Sequence, residues 1–201
     1  VTLGFREPET EDQRDLVNLE HLKELLQTPA LRFATFSSFQ FTNALCHAIA
    51  SALEEGSSIS DITFDYDCEF PGGGRAIIAN ALQRNTSVTD VIFFAFRGHC
   101  DYDEPFCDNF AAVLLCNSTL QNLTLQVIPD RGRWLSPIFL SLVMNMTLKS
   151  FTAKIYGEFG DELCAAIRSG LPKNSTLEEL SLYNIIPSDD DGTGSARNVL
   201  S

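Results

Sequence analysis

The sequence predicts an α/β fold of stacked strand–helix units. Three observations carry that prediction: a nine-residue pattern that recurs at a nearly fixed interval, a strand-like apolar period inside each copy, and a helix-like apolar period upstream of each. The copies read TPALRFATF, GSSISDITF, NTSVTDVIF, NSTLQNLTL, NMTLKSFTA and NSTLEELSL. With Leu31, Ile59, Val88, Leu120, Leu148 and Leu177 as anchors, the spacings are 28, 29, 32, 28 and 29 residues. That interval is too regular for chance, and self-similarity of this kind marks a repeat architecture.

The strand comes first. Counting from each anchor as position 0, apolar residues fall at 0, +3 and +5, as in Ile59/Ile62/Phe64, Val88/Val91/Phe93, Leu120/Leu123/Leu125, Leu148/Phe151/Ala153 and Leu177/Leu180/Leu182. Positions +3 and +5 share one face of a strand, and the positions between them point the other way. One face is therefore core and the other solvent.

The helix precedes each anchor, with apolar residues at −14, −10 and −6. The sets are Leu45/Ile49/Leu53, Phe106/Phe110/Leu114, Trp134/Ile138/Leu142 and Leu163/Ile167/Leu171, with Ile78/Leu82 in a copy where Gly74 takes the first place. A lone strand or helix cannot bury such a stripe, so neighbouring units must stack.

LxxLxL strands, helices ending ALxxN and a period of 28 or 29 residues resemble leucine-rich repeats of the ribonuclease-inhibitor type; ANALQRNTSVTDVIF and LPKNSTLEELSL are the nearest stretches. The resemblance covers roughly residues 31–186. It implies a horseshoe segment, a leucine-rich-repeat solenoid with parallel strands on the concave face and helices on the convex face. The same repeat type occurs in cytosolic innate-immune receptors and in activators of Ran-type GTPases. One feature departs from that family, which places Asn or Cys at +8, whereas here the residues are Phe39, Asp67, Phe96, Ile128, Tyr156 and Ile185. Mostly apolar residues in that layer predict turns packed by hydrophobic contact, with RGHCDYDEPF as the irregular loop of the longest repeat.

Three parts are expected along the chain: a leader and capping helix over residues 1–30, the repeats over 31–186, and an acidic loop with the start of a further repeat or a cap helix over 187–201. Thr10-Glu11-Asp12-Gln13 fits a capping box, and Leu16, Leu19, Leu22, Leu25 and Leu26 follow at helical spacing, which predicts a helix over 12–27 covering the first strand. Beyond PSDDDGTG, Ala196 and Leu200 sit where a seventh unit would place its −10 and −6 residues. The chain starts VTLGFREPETEDQ without Met and is read as processed or as a piece of a longer protein, with further repeats of the same chain as possible neighbours.

Composition narrows function. Lys and Arg total 14 against 27 Asp and Glu, a net charge of −13 that repels phosphate backbones and anionic lipid. Nucleic acid is not expected as a partner. No apolar run approaches the roughly 20 residues that cross a bilayer. A cytoplasmic location is expected, the alternatives being an organelle or secretion after removal of a targeting segment.

Catalytic and cofactor chemistry finds little support, so no enzyme activity and no cofactor are expected. His21 and His47 fall on different helices and His99 in a loop, so stacking brings no nucleophile and base together. Pro71-Gly72-Gly73-Gly74-Arg75 lacks the Lys-Ser/Thr of a phosphate loop and reads as a flexible lead into a helix. His99, Cys100 and Cys107 are the nearest approach to a metal cluster, without zinc spacing. Cys46, Cys107 and Cys164 share position −13, which points to thiols packed against the next helix.

Five N-x-S/T motifs occur. Asn85, Asn117, Asn145 and Asn174 all occupy position −3 at a helix end, where Asn tolerates left-handed backbone and the Ser or Thr serves the turn. Only Asn122 lies outside that slot, on a strand. Structural punctuation is therefore the expectation for four of the five, and a contact residue for the fifth.

The face that remains for function is the outward grid of the strands. Position +4 is mostly Thr or Ser, which suits an exposed strand. Phe33, Ile92, Phe94 and Tyr183 break the polar pattern, Asp61, Asp65 and Asp90 lie beside two of them, and Asn122 and Lys154 complete the set. Aromatic residues ringed by charge are the usual anchors of an interface. The expected function is non-catalytic: a recognition scaffold whose concave face binds a protein with a basic rim. The alternatives are a regulator of a small GTPase, hinted at by Asp189-Asp190-Asp191, or the sensing part of a larger receptor.

Overall fold

A computed structural model describes residues 2–6, 19–37, 39–65, 68–94, 104–127, 135–156, 159–186 and 195–200. Eight strands form one sheet: β1 (Thr2–Arg6), β2 (Phe33–Ser37), β3 (Asp61–Phe64), β4 (Asp90–Phe93), β5 (Asn122–Val127), β6 (Ser150–Tyr156), β7 (Glu179–Ile186) and β8 (Ser195–Leu200). They lie in chain order, with six parallel pairings from β1 to β7 and an antiparallel pairing of β7 with β8. Parallel neighbours require a crossover. The crossovers hold helices α1 (Leu19–Leu26), α2 (Asn43–Glu54), α3 (Gly74–Leu82), α4 (Glu104–Cys116), α5 (Ser136–Ser141) and α6 (Asp161–Gly170), and each helix packs on the next.

Register follows the repeat residue for residue. Ile62 pairs with Val91, Val91 with Leu123, Leu123 with Phe151 and Phe151 with Leu180, so every +3 residue meets its equivalent. The anchors Leu31, Ile59, Val88, Leu120 and Leu148 are buried in one core with the helix residues Leu45, Ile49, Leu53, Ile78, Phe110, Leu114 and Ile138. Alternate strand residues on the opposite face are mostly half-exposed, with Phe33 and Glu179 exposed and Gln126 buried. Along the +5 column, Phe36 stacks on Phe64 at 5.2 Å and Phe64 on Phe93 at 4.5 Å, and Phe106 and Phe110 meet Phe93 edge-on. This aromatic spine gives way to Leu125, Ala153 and Leu182 in the later units.

The four asparagines at −3 tie the units together. Asn85 Nδ2 donates to the Leu53 carbonyl at 2.8 Å, Asn117 Nδ2 to Leu82 at 2.6 Å, Asn145 Nδ2 to Leu114 at 2.7 Å and Asn174 Nδ2 to Leu142 at 2.7 Å. Each Oδ1 accepts from the two backbone N–H groups that open the next strand, as Asn145 does from Thr147 and Leu148. The sequon threonines join in: Thr119 Oγ1 donates to the Asn85 carbonyl and Thr147 Oγ1 to that of Asn117. Left-handed backbone, expected at these positions, is not what Asn174 adopts. Its φ of −78° and ψ of 135° are extended, because the side chain rather than a backbone reversal satisfies the turn.

The ends differ from expectation. Residues 12–18 of the expected capping helix lie outside the described residues, and the described part, α1, is the crossover of another unit rather than a cap. Strand β1 lies beyond it, with Leu3 opposite Ala34 and Phe5 opposite Phe36, the +3 and +5 positions. At the other end, Ala196 and Leu200 belong to a strand instead of a helix. Only residues 187–194 separate β7 from β8, enough for an antiparallel return but short of the dozen or so residues a parallel crossover needs.

The glycine-rich stretch also has a defined role. Gly73 has φ of 77°, a left-handed conformation that favours glycine, and a Cβ on Gly74 would meet Cys46 Sγ and Pro71 Cδ, both at 2.9 Å. Cys46 thus packs against the following helix as its −13 position implied, and Gly74 is small because the thiol fills its place. Cys46 and Cys107 are buried free thiols and Cys164 is a half-buried one. Of the +8 residues, Phe39 is buried against Phe36 and Phe41, while the side chains of the other five lie outside the described residues. His99, Cys100, Trp134 and Asp189-Asp190-Asp191 also fall outside them.

Candidate functional site

The outward strand positions form rows across the sheet because the register is unshifted. In the +2 row, Phe33, Asp61, Asp90, Asn122, Ser150 and Glu179 stand opposite one another in turn. In the +4 row the sequence from β2 is Thr35, Thr63, Ile92, Thr124, Thr152 and Ser181. Neighbouring strands are roughly 4.8 Å apart, so residues in a row are in side-chain contact range.

A depression of about 250 Å³ opens on this face across β3 to β6. Asp61, Asp90, Ile92 and Asn122, all expected as site residues, line it together with Thr63, Thr124 and Ser150. The last three come from the same rows and carry the outward periodicity, but polar residues on an exposed strand give no separate signal of a site.

Hydrogen bonds fix the carboxylates. Asn122 Nδ2 donates to Asp90 Oδ1 at 2.6 Å, and Thr89 Oγ1 donates to Asp90 Oδ2 at 2.6 Å. Ser60 Oγ donates to Asp61 Oδ2 and also lies 3.1 Å from the Arg32 carbonyl oxygen. The +1 residues Ser60 and Thr89 therefore orient the acidic residues at +2. Among the described residues the donors to these two carboxylates are neutral, so the negative charge at the rim of the depression is held in place but not cancelled by a cation among these contacts.

The remaining expected site residues do not join this group. Phe33 is exposed on β2, next to Asp61 in the row. Asp65, Phe94, Lys154 and Tyr183 belong to the +6 row: Asp65 accepts from Ser37 Oγ at 3.4 Å, and Tyr183 is opposite Lys154. Lys154 Nζ lies 5.2 Å from the Phe94 ring centroid, reaching across β5 where Gln126 is 3% exposed. Phe94, expected as an open aromatic anchor, is thus covered by a cation that itself was expected to face a partner. The face carries an acidic and aliphatic depression at one end of the strands and a cation-capped aromatic at the other.

No protein-family model matches this sequence, and no curated protein matches it. Among the described residues, no helix is long and apolar enough to cross a membrane.

Proposed function

We propose that the chain is a leucine-rich-repeat solenoid of the ribonuclease-inhibitor-like type that acts as a non-catalytic recognition module, binding a protein partner on its concave strand face. The observation that carries this reading is the depression around Asp61, Asp90, Ile92 and Asn122, where two oriented carboxylates flank an aliphatic side chain on a face that no described element covers. An apolar centre with a charged rim is how protein interfaces are built, and the sign of the charge selects a partner with basic residues at its edge. A cytoplasmic location suits the five free cysteines among the described residues, since a reducing compartment leaves thiols unpaired.

The test is differential capture from native extract with wild-type protein and with an Asp61→Lys, Asp90→Lys variant as baits. A protein retained by the first and lost from the second supports the reading. Equal retention by both sinks it. Adding captured material to a GTP-hydrolysis assay separates plain recognition from regulation of a GTPase.

A further inference from the structure

Asp61 and Asp90 stand opposite each other on β3 and β4, so two like charges share the wall of one depression. Like charges in that relation repel, and a sheet built only for stability would not keep them there. From β2 to β7 the +2 and +4 rows hold Asp61, Asp90 and Glu179 and no base. Among the described residues neither aspartate has an ion pair. The repulsion is therefore carried by the folded protein, and a cation between the two side chains relieves it.

The lining also has acceptors to spare. A carboxylate offers about four acceptor sites. Asp61 accepts from Ser60 Oγ alone, and Asp90 from Asn122 Nδ2 and Thr89 Oγ1. The hydroxyls of Thr63 and Thr124 make no hydrogen bond among the described residues. Between those two threonines in the +4 row lies Ile92, two residues along β4 from Asp90, so an aliphatic surface adjoins the carboxylates. At about 250 Å³ the depression is smaller than the roughly 300–1,000 Å³ of a small-molecule pocket, which suits one side chain of a partner.

We infer that the depression receives a single arginine side chain of the partner protein, with its guanidinium between Asp61 and Asp90 and its stem over Ile92. This deepens the strand-face reading and rests on it for the source of the arginine. Five N–H donors in a planar fork can serve carboxylates on two neighbouring strands at once, whereas an ammonium has three donors around one point. The guanidinium is also the more weakly hydrated of the two cations, so it loses less on settling against an isoleucine. Long basic side chains run their methylenes along apolar surface and keep the charged head on its polar partners, which sets the approach from the +4 side.

The amides of N-acetylarginine, N-acetyllysine and N-acetylcitrulline, titrated separately into the full chain at low salt and followed by NMR, test the assignment. Citrulline keeps the shape of arginine and lacks its charge. Saturable shifts at the Ile92 methyl groups and the Asn122 side-chain amide are expected with arginine, with affinity about fivefold tighter than for lysine and no saturation by citrulline. Asp61→Asn keeps the acceptor for Ser60 and removes the facing charge, so it weakens arginine binding about tenfold while leaving the thermal midpoint unchanged or higher. Equal binding of lysine or citrulline, or binding unmoved by Asp61→Asn, overturns the inference. So does a midpoint lowered by Asp61→Asn, which assigns the pair to holding the sheet, or displacement of the arginine amide by millimolar calcium, which assigns it to a metal. Failure of the arginine amide to bind, with a captured protein still lost from the Asp61→Lys, Asp90→Lys bait, overturns the arginine and leaves the strand-face reading standing. Arginine binding with equal capture by both baits supports the guanidinium site and sinks that reading.

Discussion

The side-chain amide of Asn145 donates to the carbonyl of Leu114, one unit earlier, at 2.7 Å, while its Oδ1 accepts from Thr147 and Leu148 N–H at 3.1 and 2.8 Å. One buried side chain therefore satisfies three backbone groups and joins a helix end, a strand start and the neighbouring unit. Truncation would orphan all three at once. Asn145→Ala is expected to cost about 2–4 kcal/mol in urea unfolding, and Asn145→Asp a similar amount, because a carboxylate can still accept but cannot donate to Leu114. A loss under about 0.5 kcal/mol in either variant would contradict this role.

The same bonds bear on glycosylation. Asn85, Asn117, Asn145 and Asn174 each commit Nδ2, the atom a glycan would be attached to, to a carbonyl of the preceding unit. When the chain is passed through a glycosylating secretory pathway, the folded soluble fraction is expected to carry no sugar at these four residues. Asn122 uses its Nδ2 on Asp90 at a half-exposed position and is the sequon that can be modified without breaking the ladder. Enzymatic deglycosylation in heavy-oxygen water with peptide mapping reads each site. Glycan at Asn117 in folded protein would refute the ladder's importance.

Much of this fold was legible because burial enforces a period. The 0, +3 and +5 anchors are readable directly, and they put Asp61, Asp90, Ile92 and Asn122 on one face, within a set that also holds Phe33, Asp65, Phe94, Lys154 and Tyr183. The Lys154–Phe94 contact was not legible, since it joins strands two apart and depends on how a long side chain lies. Strand β8 was misread because Ala196 and Leu200 satisfy helical and strand spacing equally, and loop length rather than local pattern decides. Strand β1 was missed because it is a short run without the N-x-S/T turn that flags most later strands. The role of Asn at −3 as helix-end punctuation is legible, but the extended backbone of Asn174 is not, as the side chain's reach to the previous unit is a tertiary property.

Close approach, to backbone at one glycine and to side chains at another, gives a graded prediction. A Cβ on Gly170 would lie 2.0 Å from the Phe139 carbonyl oxygen, whereas one on Gly74 meets the Cys46 thiol and the Pro71 ring at 2.9 Å. Gly170→Ala must push α6 away from α5 and is expected to cost about 3 kcal/mol or more. Gly74→Ala is expected to cost about 1–3 kcal/mol, part of which Cys46→Ala restores by opening space. Thermal unfolding of the single and double variants checks both. Rescue of Gly170→Ala by truncating the Phe139 side chain would be inconsistent with a backbone obstacle.

Burial pushes the Cys46 thiol up to about 11, partly offset by the charge of Arg75, and burial likewise pushes Cys68, which donates to the Phe36 carbonyl at 3.2 Å, up to about 11. An unfolded chain ionises its thiols near 8.5. Below that pH both states hold the protons and the contribution is constant. Between about 9 and 11 the unfolded state loses protons that the folded state keeps, so stability falls as pH rises, by on the order of 2 kcal/mol per thiol. Urea midpoints from pH 8 to 11 are expected to drop less steeply in a Cys46→Ala, Cys68→Ala variant. Parallel slopes would assign the alkaline loss to other groups.

The proposed strand-face interface makes opposite predictions for two charges on the same side of the sheet. Asp90 borders the depression and is half-exposed, so Asp90→Ala is expected to lower stability by about 1 kcal/mol or less while weakening a basic partner by about tenfold. Lys154 lies outside the depression, over Phe94, and presents the same sign of charge as that partner. Lys154→Ala loses a cation–π contact worth about 0.5–1 kcal/mol yet is expected to strengthen binding about two- to fivefold, by removing repulsion and baring the ring. Calorimetry with the captured partner at low and high salt measures both, and the difference between the variants is expected to shrink as salt rises. Weakening by Lys154→Ala to the same extent as by Asp90→Ala would show that the partner's charge is not basic, or that the contact is made by the +6 row instead of the depression.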